Sequence, residues 1–441
     1  MDKNKIPGQA IGDQIAQSDP ANTQAGDGGE WMKMARDAYK RSTTYYENNY
    51  RRQIEDGLRL FNSQHPRDSK YNSESYKFRS RIFRPKTRAV IRKHEAAAAM
   101  AFFSNPDVVS IDPVNEDDMQ QVISSQINKE LLQYRLTKSI PWYLNVLGAF
   151  QDAMTVGVCA SFQYWDYAST KKKEKRTADF FGNQIELEVE NEVVKTDKPC
   201  SDLIPINHLR FDPAAKWYDV ANTSPYLIIE MPMYVNDVLD RMEDDYGEKK
   251  WRTLSEQQIM QARITETDPV QQARDGKKED ANAQKSDINE FDVVMVHLNF
   301  IRTGDECVTF YTLKDTYQLS DPVPVEEAFL HCQNGKLPVT IGFCVLEAHQ
   351  ALPKGLAQLG RDLQSEANEI ANQRLDNVKF VLNKRWLVRR GANVDVDGLV
   401  RNVPGGASMV NDVEKDIKEV NWPDVTSSSF QEQDRLNAAV S

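Results

Sequence analysis

From Trp31 onward, large apolar residues recur at helical spacing. Trp31, Met34, Ala35, Ala38 and Tyr39 step by three and four, Tyr45, Tyr46 and Tyr50 follow, and Ile54, Leu58, Leu60 and Phe61 extend the face. This pattern predicts a long helical stretch. The turn-rich run 62–72 predicts a loop. A second helix is predicted over 84–103, with Pro85 suited to its first position and Ser104-Asn105-Pro106 as its stop. A third is predicted over 117–136, on Met119, Val122, Ile127, Leu131 and Leu132. A fourth, over 142–155, is mostly apolar and so expected to be buried, with Gly157 ending it.

Strand character begins at 158–167, where Phe162, Tyr164 and Trp165 cluster. The charge run 171–176 (KKKEKR) is expected at a hairpin tip, with Ile185, Leu187, Val189, Val193 and Val194 on returning strands. Residues 205–213 read as an ordered loop, 226–231 as a strand and 234–247 as a short amphipathic helix. The run 265–290 has almost no apolar content and is expected to be an exposed loop. Segments 293–301, 307–313 and 337–345 have strand composition. A long helix is predicted over 354–383. Its stripe of Leu356, Leu359, Leu363, Ala367, Ile370, Leu375, Val378 and Leu382 is narrow, like a helix–helix seam more than a broad core face. A short β segment over 386–424 and the start of a last helix, capped within 426–429, complete the chain. Residues 1–29 read as a disordered arm.

Composition narrows the function. The 441 residues carry 55 Lys and Arg against 66 Asp and Glu, a net charge of −11. That excludes a globally basic nucleic-acid coat but not a local basic face. No apolar run reaches the ~18–20 residues of a membrane span, and MDKNKIPGQAIGDQ lacks the apolar core of a secretion signal. Five scattered cysteines form no CxxC pair and no disulfide framework, which suits a reducing cytoplasm.

Catalytic motifs are missing. The six histidines fall in no HExxH or Cys/His cluster, and the sequence has no GxxxxGK[ST] and no GxSxG. Glu243, Asp244 and Asp245 would fan out on a helix as a solvated face. Glu186, Glu188 and Glu190 would share one strand face, either as an exposed edge or as a cation site. No catalytic, cofactor or metal set is therefore assigned. The strongest charge feature is the window 67–93, with Arg67, Lys70, Lys77, Arg79, Arg81, Arg84, Lys86, Arg88, Arg92 and Lys93 against only Asp68 and Glu74. Tyr71, Tyr76, Phe78 and Phe83 are interleaved. Such a window suits either phosphate contact or the acidic surface of a neighbouring subunit, and both readings stay open here.

The order of segments carries a resemblance. HPRDSKYNSES and RSRIFRPKTRAVIRKHEAAAAMAFFSNPD are followed by LGAFQDAMTVGVCASFQYWDY and LIPINHLRFDPAAKW. Then come LPKGLAQLGRDLQSEANEIANQRLDNVKFVLN, VPGGASMV and DIKEVNWPDVTSSSFQEQDRLN. Together they resemble the portal, or head-to-tail connector, proteins of tailed bacteriophages, most of all those of short-tailed phages.

The resemblance implies an α+β chain in a ring-forming portal-like fold: a mainly helical wing with small β subdomains, a long stem helix and a short β-containing clip. The implied divisions are an arm at 1–29, a wing at 30–350, a stem helix at 354–383, a clip at 384–425 and the start of a second stem helix at 426–441. It implies a ring, typically of twelve copies, at one capsid vertex of the virion, assembled in the host cytoplasm. DNA would be packaged and ejected through it. The implied partners are further copies of the chain, the terminase motor, tail adaptors, capsid and scaffolding proteins and passing double-stranded DNA, with no membrane and no enzyme activity. Acidic walls would let DNA slide where basic ones would grip. Portals continue beyond the second stem helix, so the chain is expected to be a fragment. Stem packing is expected at Leu359, Leu363, Ile370, Leu375 and Val378. Arg79, Arg81, Arg84, Lys86 and Arg88 are expected at a subunit interface or on DNA. Arg389, Arg390, Asp412, Glu414, Lys415 and Asp416 are expected to face outward from the clip as docking charges, against the alternative of an ordinary solvated hairpin. The competing functions are a nucleic-acid-binding module using 67–93, or a metal-dependent nuclease using Glu186, Glu188 and Glu190 or Asp244 and Asp245.

Overall fold

The structure, a computed structural model, describes residues 28–105, 108–180, 183–243, 250–263, 268–275, 291–304, 306–332, 335–382, 385–401, 409–412, 414–420, 423, 430–431, 433–435 and 438. In chain order, helices α1 (Gly28–Asn49), α2 (Arg51–Phe61), α3 (Lys86–Phe103), α4 (Met119–Lys138) and α5 (Trp142–Val156) lead into a long hairpin of β1 (Val158–Phe180) and β2 (Asn183–Ile204). Strands β3 (Leu209–Phe211), β4 (Tyr226–Tyr234), β5 (Val293–Thr303), β6 (Glu306–Leu313), β7 (Tyr317–Gln318), β8 (Val323–Pro324) and β9 (Val339–Phe343) follow. The long helix α6 (Arg361–Leu382) and the strands β10 (Arg385–Val388) and β11 (Ile417–Val420) come last. The chain is α+β and divides into two compact units.

The first unit takes its described residues from Met1–Asn49, Ala160–Thr267 and Glu279–Ile341. Its centre is an antiparallel sheet in the order β3-β4-β5-β6-β7, with β8 also on β6. Strand β5 is buried on both faces, so its sequence VVMVHLNFIRT is apolar nearly throughout. On one face Val294 and Val296 pack with Val235, Val238, Trp251, Ile259 and Leu319. On the other, Ala35 of α1 packs with Ile301, Val308 and Phe310. The same side holds a buried polar set. Tyr39 lies against His297, ring centroids 4.6 Å apart, and Arg210 pairs with Glu230 at 3.0 Å while stacking on Tyr46. Burial pushes His297 down to about 3, with the charges of Arg210 and Lys314 adding to the shift, so its imidazole is neutral.

The β1–β2 hairpin runs from Ala160↔Ile204 to Phe180↔Asn183, with one register shift at Ala168/Ser169. The run 171–176 lies within β1, paired with 187–192, and is not the hairpin tip. The turn falls at 181–182, outside the described residues. Lysine-rich segments are poor strand formers by themselves, but this one continues a hydrogen-bonded ladder begun by apolar residues. The β part is therefore larger than small subdomains, with arms of 23 and 22 residues. The helix expected over 234–247 is shorter, Val235–Asp240; residues 244–249, including Asp244 and Asp245, lie outside the described residues.

The second unit takes its described residues from Tyr50–Cys159, Asp268–Lys278 and Gly342–Ser441. Its core joins Phe61, Ile91, Met154 and Ala357, with Phe150 and Leu356 alongside. The segment expected as an exposed loop over 265–290 carries a short helix, Pro269–Asp275, whose Val270 and Ala273 are fully buried. Asn62 donates to the Ala273 carbonyl at 2.6 Å, and Arg274 pairs with Asp152 at 2.9 Å. These polar contacts with neighbouring elements, beside two small buried side chains three apart, dock a helix whose remainder is mostly polar. Residues 264–267 and 276–290 lie outside the described residues. Helix α5 is buried only over Ala153–Val156, with Tyr143 and Leu144 exposed, and α4 has no buried residue.

Glycine sets the closest approach in this core. Gly157 ends α5 with φ +104°, and a Cβ there would overlap the Pro353 carbonyl oxygen. A Cβ on Gly355 would stand 2.7 Å from the Gly157 nitrogen. Gly157→Ala therefore adds a left-handed backbone penalty of about 1–2 kcal/mol to a steric overlap. The variant is expected to lose about 3 kcal/mol or more of stability, read as a lowered midpoint in urea unfolding.

Candidate functional site

Residues 80–85 approach α6 as an extended chain leading into α3, whose first turn carries Thr87. An extended backbone exposes an N–H and a C=O at every residue, and those facing a protein surface need partners. Helix α6 supplies them from side chains spaced four apart: Gln364, Asn368, Asn372 and Asp376. The Ser80 N–H donates to Asp376 Oδ1 at 2.7 Å and the Ile82 N–H to Asn372 Oδ1 at 2.8 Å. The Arg84 N–H donates to Asn368 Oδ1 at 2.9 Å and the Thr87 N–H to Gln364 Oε1 at 3.0 Å. The amide groups also return donors. Asn372 Nδ2 bonds the Ile82 carbonyl at 2.9 Å, and Gln364 Nε2 bonds the Arg84 carbonyl at 2.6 Å. The geometry follows from two rises. Four helical residues advance about 6 Å, and two extended residues about 6.6 Å, so the two series stay in step at 80, 82 and 84, and Thr87 in the first turn of α3 makes the last rung.

This ladder commits one face of the long helix to contacts within the chain. The buried face of α6 is polar, with Gln364, Asn368, Ala371 and Asn372, while Leu359, Leu363 and Val378 are exposed. Ile370 and Leu375 are half-buried. The helix is also interrupted at Gly360, after a short turn over Leu356–Leu359. Leu363 and Ile370 thus lie well round the helix from the ladder, whereas Leu375 and Val378 lie on or beside its edge. On another side Arg374 lies over the Phe430 ring, 4.4 Å from its centroid, and donates to Gln433 at 2.6 Å. The helical residues 430–431, 433–435 and 438 thus run beside α6.

Because α6 holds the backbone, the side chains of the extended segment project outward. Arg79, Arg81 and Arg88 are exposed, and Arg84 and Lys86 half-buried. Burial, with Arg374 as a like charge nearby, lowers the pKa of Arg84. Arg79 lies over Tyr76 and Arg88 over Phe61, at 5.2 and 5.4 Å from the ring centroids. Among the described residues none of these five cations has an ion-pair partner. Lys70 and Arg92 are paired, with Glu369 and Glu95, both at 2.6 Å. The window is thus a comb of unneutralised arginines with Phe78 and Ile82 exposed among them.

The six charges expected to face outward over 389–416 divide. Asp416 is only 3% exposed, paired with Arg389 at 3.1 Å, and it accepts from the Asp412 N–H at 3.2 Å. It closes the turn into β11 and does not face outward, because a buried carboxylate needs a cation and donors of its own. The Asp412 carboxylate accepts from the Glu414 and Lys415 N–H groups and pairs with Lys415 at 3.4 Å. Arg390 and Glu414 are exposed and have no ion-pair partner among the described residues. The small sheet pairs Arg385↔Val420 through Val388↔Ile417 and leaves Leu387, Val388, Val396 and Met409 exposed.

Glu186, Glu188 and Glu190 sit on alternate β2 positions whose backbone register is opposite Thr177, Lys175 and Lys173; their side chains lie outside the described residues. Among the described residues no three His, Cys, Asp or Glu side chains converge as a metal site, and no helix is long and apolar enough to cross a membrane.

Replacing Asn368 and Asn372 together by Leu removes five of the hydrogen bonds that involve these two side chains and leaves the N–H groups of Ile82 and Arg84 without their partners. At ~0.5–1.5 kcal/mol per bond the expected loss is about 3–5 kcal/mol. Amide exchange at Ile82 and Arg84 should accelerate by at least tenfold. Unchanged exchange would show that the segment is held by other contacts.

Among families of known proteins, the model described as "Phage SU10 portal protein" matches residues 177–439, well over half of the chain. That span includes the six-stranded sheet, α6 and the β10–β11 pair. No curated protein matches the chain. The family match and the order of segments agree, and the chain belongs to the phage SU10 portal protein family, the head-to-tail connectors of bacteriophages.

Proposed function

We propose that copies of this chain, twelve by analogy with portals at large, close into a ring at one capsid vertex, through which DNA is packaged and later ejected. In this reading residues 30–350 form the wing, 354–383 the first stem helix, 384–425 the clip and 426–441 the start of the second stem helix. The family match over 177–439 carries the proposal. The orientation of α6 supports it: one face is satisfied inside the chain by the amide ladder, while Leu363 and Val378 of α6 and Leu359 of the preceding turn stay exposed, to be covered by neighbours. The net charge of −11 suits a conduit that repels phosphates. Terminase and later tail adaptors would dock on the clip, and capsid and scaffolding proteins would surround the wing at the virion vertex. The unneutralised arginine comb is the one feature that favours the nucleic-acid-binding alternative. Both that module and a nuclease predict a monomer or small oligomer.

Solution mass of the purified chain, with negative-stain views down the symmetry axis, tests the ring. Leu363→Asp with Ile370→Asp places charges in the proposed seam, where each unpaired buried charge costs several kcal/mol. The double variant should stay folded and run as a monomer; intact rings would place the seam elsewhere.

The clip prediction follows from its corrected geometry. Arg390→Glu with Glu414→Lys changes exposed charges and leaves the Asp416–Arg389 pair whole. Rings should persist while binding to the cognate terminase or adaptor weakens by about tenfold, roughly 1.4 kcal/mol. Unchanged binding would remove this surface from the docking site.

A further inference from the structure

Helix α4 has its apolar residues on the outside. Met119, Ile123, Ile127 and Leu131 step by four and Tyr134 follows, all five more than half exposed, with Val122 and Leu132 on the flanks. No residue of its 20 is buried. Gln133, on another face, accepts from the Val108 N–H at 3.0 Å and holds the helix to the chain. Four aliphatic side chains and Tyr134, each more than half exposed, leave an uncovered apolar patch on the order of 500 Å². That is most of the ~800 Å² per partner that a stable association buries. Only Lys129, Glu130, Arg135 and Lys138 are charged within the helix, the charge depletion typical of an interface core.

The loop entering α4 has the opposite character. Asp112, Glu116 and Asp117 are exposed with no cation facing them among the described residues. Asp118 is otherwise occupied, capping α4 through the Gln120 N–H. The same unit therefore presents one face of apolar stripe plus unpaired carboxylates, and another of unpaired arginines with Phe78 and Ile82 protruding among them. The two faces complement each other in charge and in apolar content, and within one chain they share no ion pair among the described residues.

We propose that the α4 stripe and the acidic loop 112–117 of one copy dock on the arginine comb 79–88 of the next copy. The inference rests on the portal reading and goes further by naming the faces that meet; both lie outside the segment matched by the family. Two different faces on one chain give a head-to-tail contact, which repeats and closes when the rotation allows. Chains of net charge −11 repel one another, so a local positive face set against a local negative one also fixes orientation and register. A second copy is favoured over DNA as the occupant because Phe78 and Ile82 offer the α4 stripe an apolar match that a phosphate backbone does not.

Charge exchange tests the pairing. Arg79→Glu, Arg81→Glu and Arg88→Glu together should reduce ring yield by about tenfold or more at low salt. Asp112→Arg, Glu116→Arg and Asp117→Arg together should do the same. Combining all six in one chain should restore rings to within about threefold of wild type, and that rescue also shows that the variants fold. Absence of rescue, or normal rings from both triple variants, overturns the pairing while leaving the portal reading intact. Intact rings with DNA affinity lost from the arginine variant would assign the comb to nucleic acid instead. A wild-type chain that forms no ring overturns the portal reading and this pairing together.

Discussion

An extended backbone laid along a helix has no strand beside it, and water is excluded from the contact. Its polar groups must then be satisfied by side chains, and only residues that carry both donor and acceptor can serve an N–H and a C=O from one position. Gln364 and Asn372 do this on α6, Asn368 accepts from the Arg84 N–H, and Asp376 closes the series at Ser80. Much else in this unit follows from that constraint. It commits one face of α6 to polar residues, leaves Leu363 exposed and fixes the direction in which α3 begins. It also displays the arginines, because the face of the segment that meets α6 is used up by main-chain bonds.

Helix positions were legible in the sequence to within a few residues for α3, α4, α5 and the long C-terminal helix, because apolar spacing and Gly or Pro punctuation agree there. The central strands were equally legible, since β5 and β6 are rich in β-branched and aromatic residues. The amide ladder on α6 was not. Periodicity marks which residues share a face but assumes that the apolar face is the buried one. Here amides at 364, 368 and 372 are buried because each meets a backbone partner nearly 300 positions away, a pairing that no local pattern announces. The lysine run in β1 and the buried helix Pro269–Asp275 failed for a related reason. Both are polar segments placed by neighbours rather than by their own hydrophobicity. The fixed spacing of four in Gln364, Asn368, Asn372 and Asp376 was the one available signal.

The first unit uses polar groups differently. Arg210, Glu230, Tyr39 and His297 lie under α1 between two apolar clusters. The ion pair is nearly dry, so its attraction is offset by desolvation, and its contribution lies more in alignment than in net stability. Asn299 ties β5 to β6 through Thr312 at 3.0 Å in the same layer. Each of these groups accepts few alternative positions, which fixes how α1 seats on the sheet more tightly than leucines alone would.

The main-chain grip on residues 80–87 separates what must stay from what can change. Helix α6 reads N–H and C=O groups, so most side chains along the segment are free to vary without loosening the hold. Proline is the exception, since it has no N–H to donate. It is barred at positions 80, 82, 84 and 87, whose N–H groups are bonded, and the one proline present, Pro85, falls between the rungs. A surface built this way can drift in charge and size to follow a changing counterpart while its course along the helix is inherited unaltered.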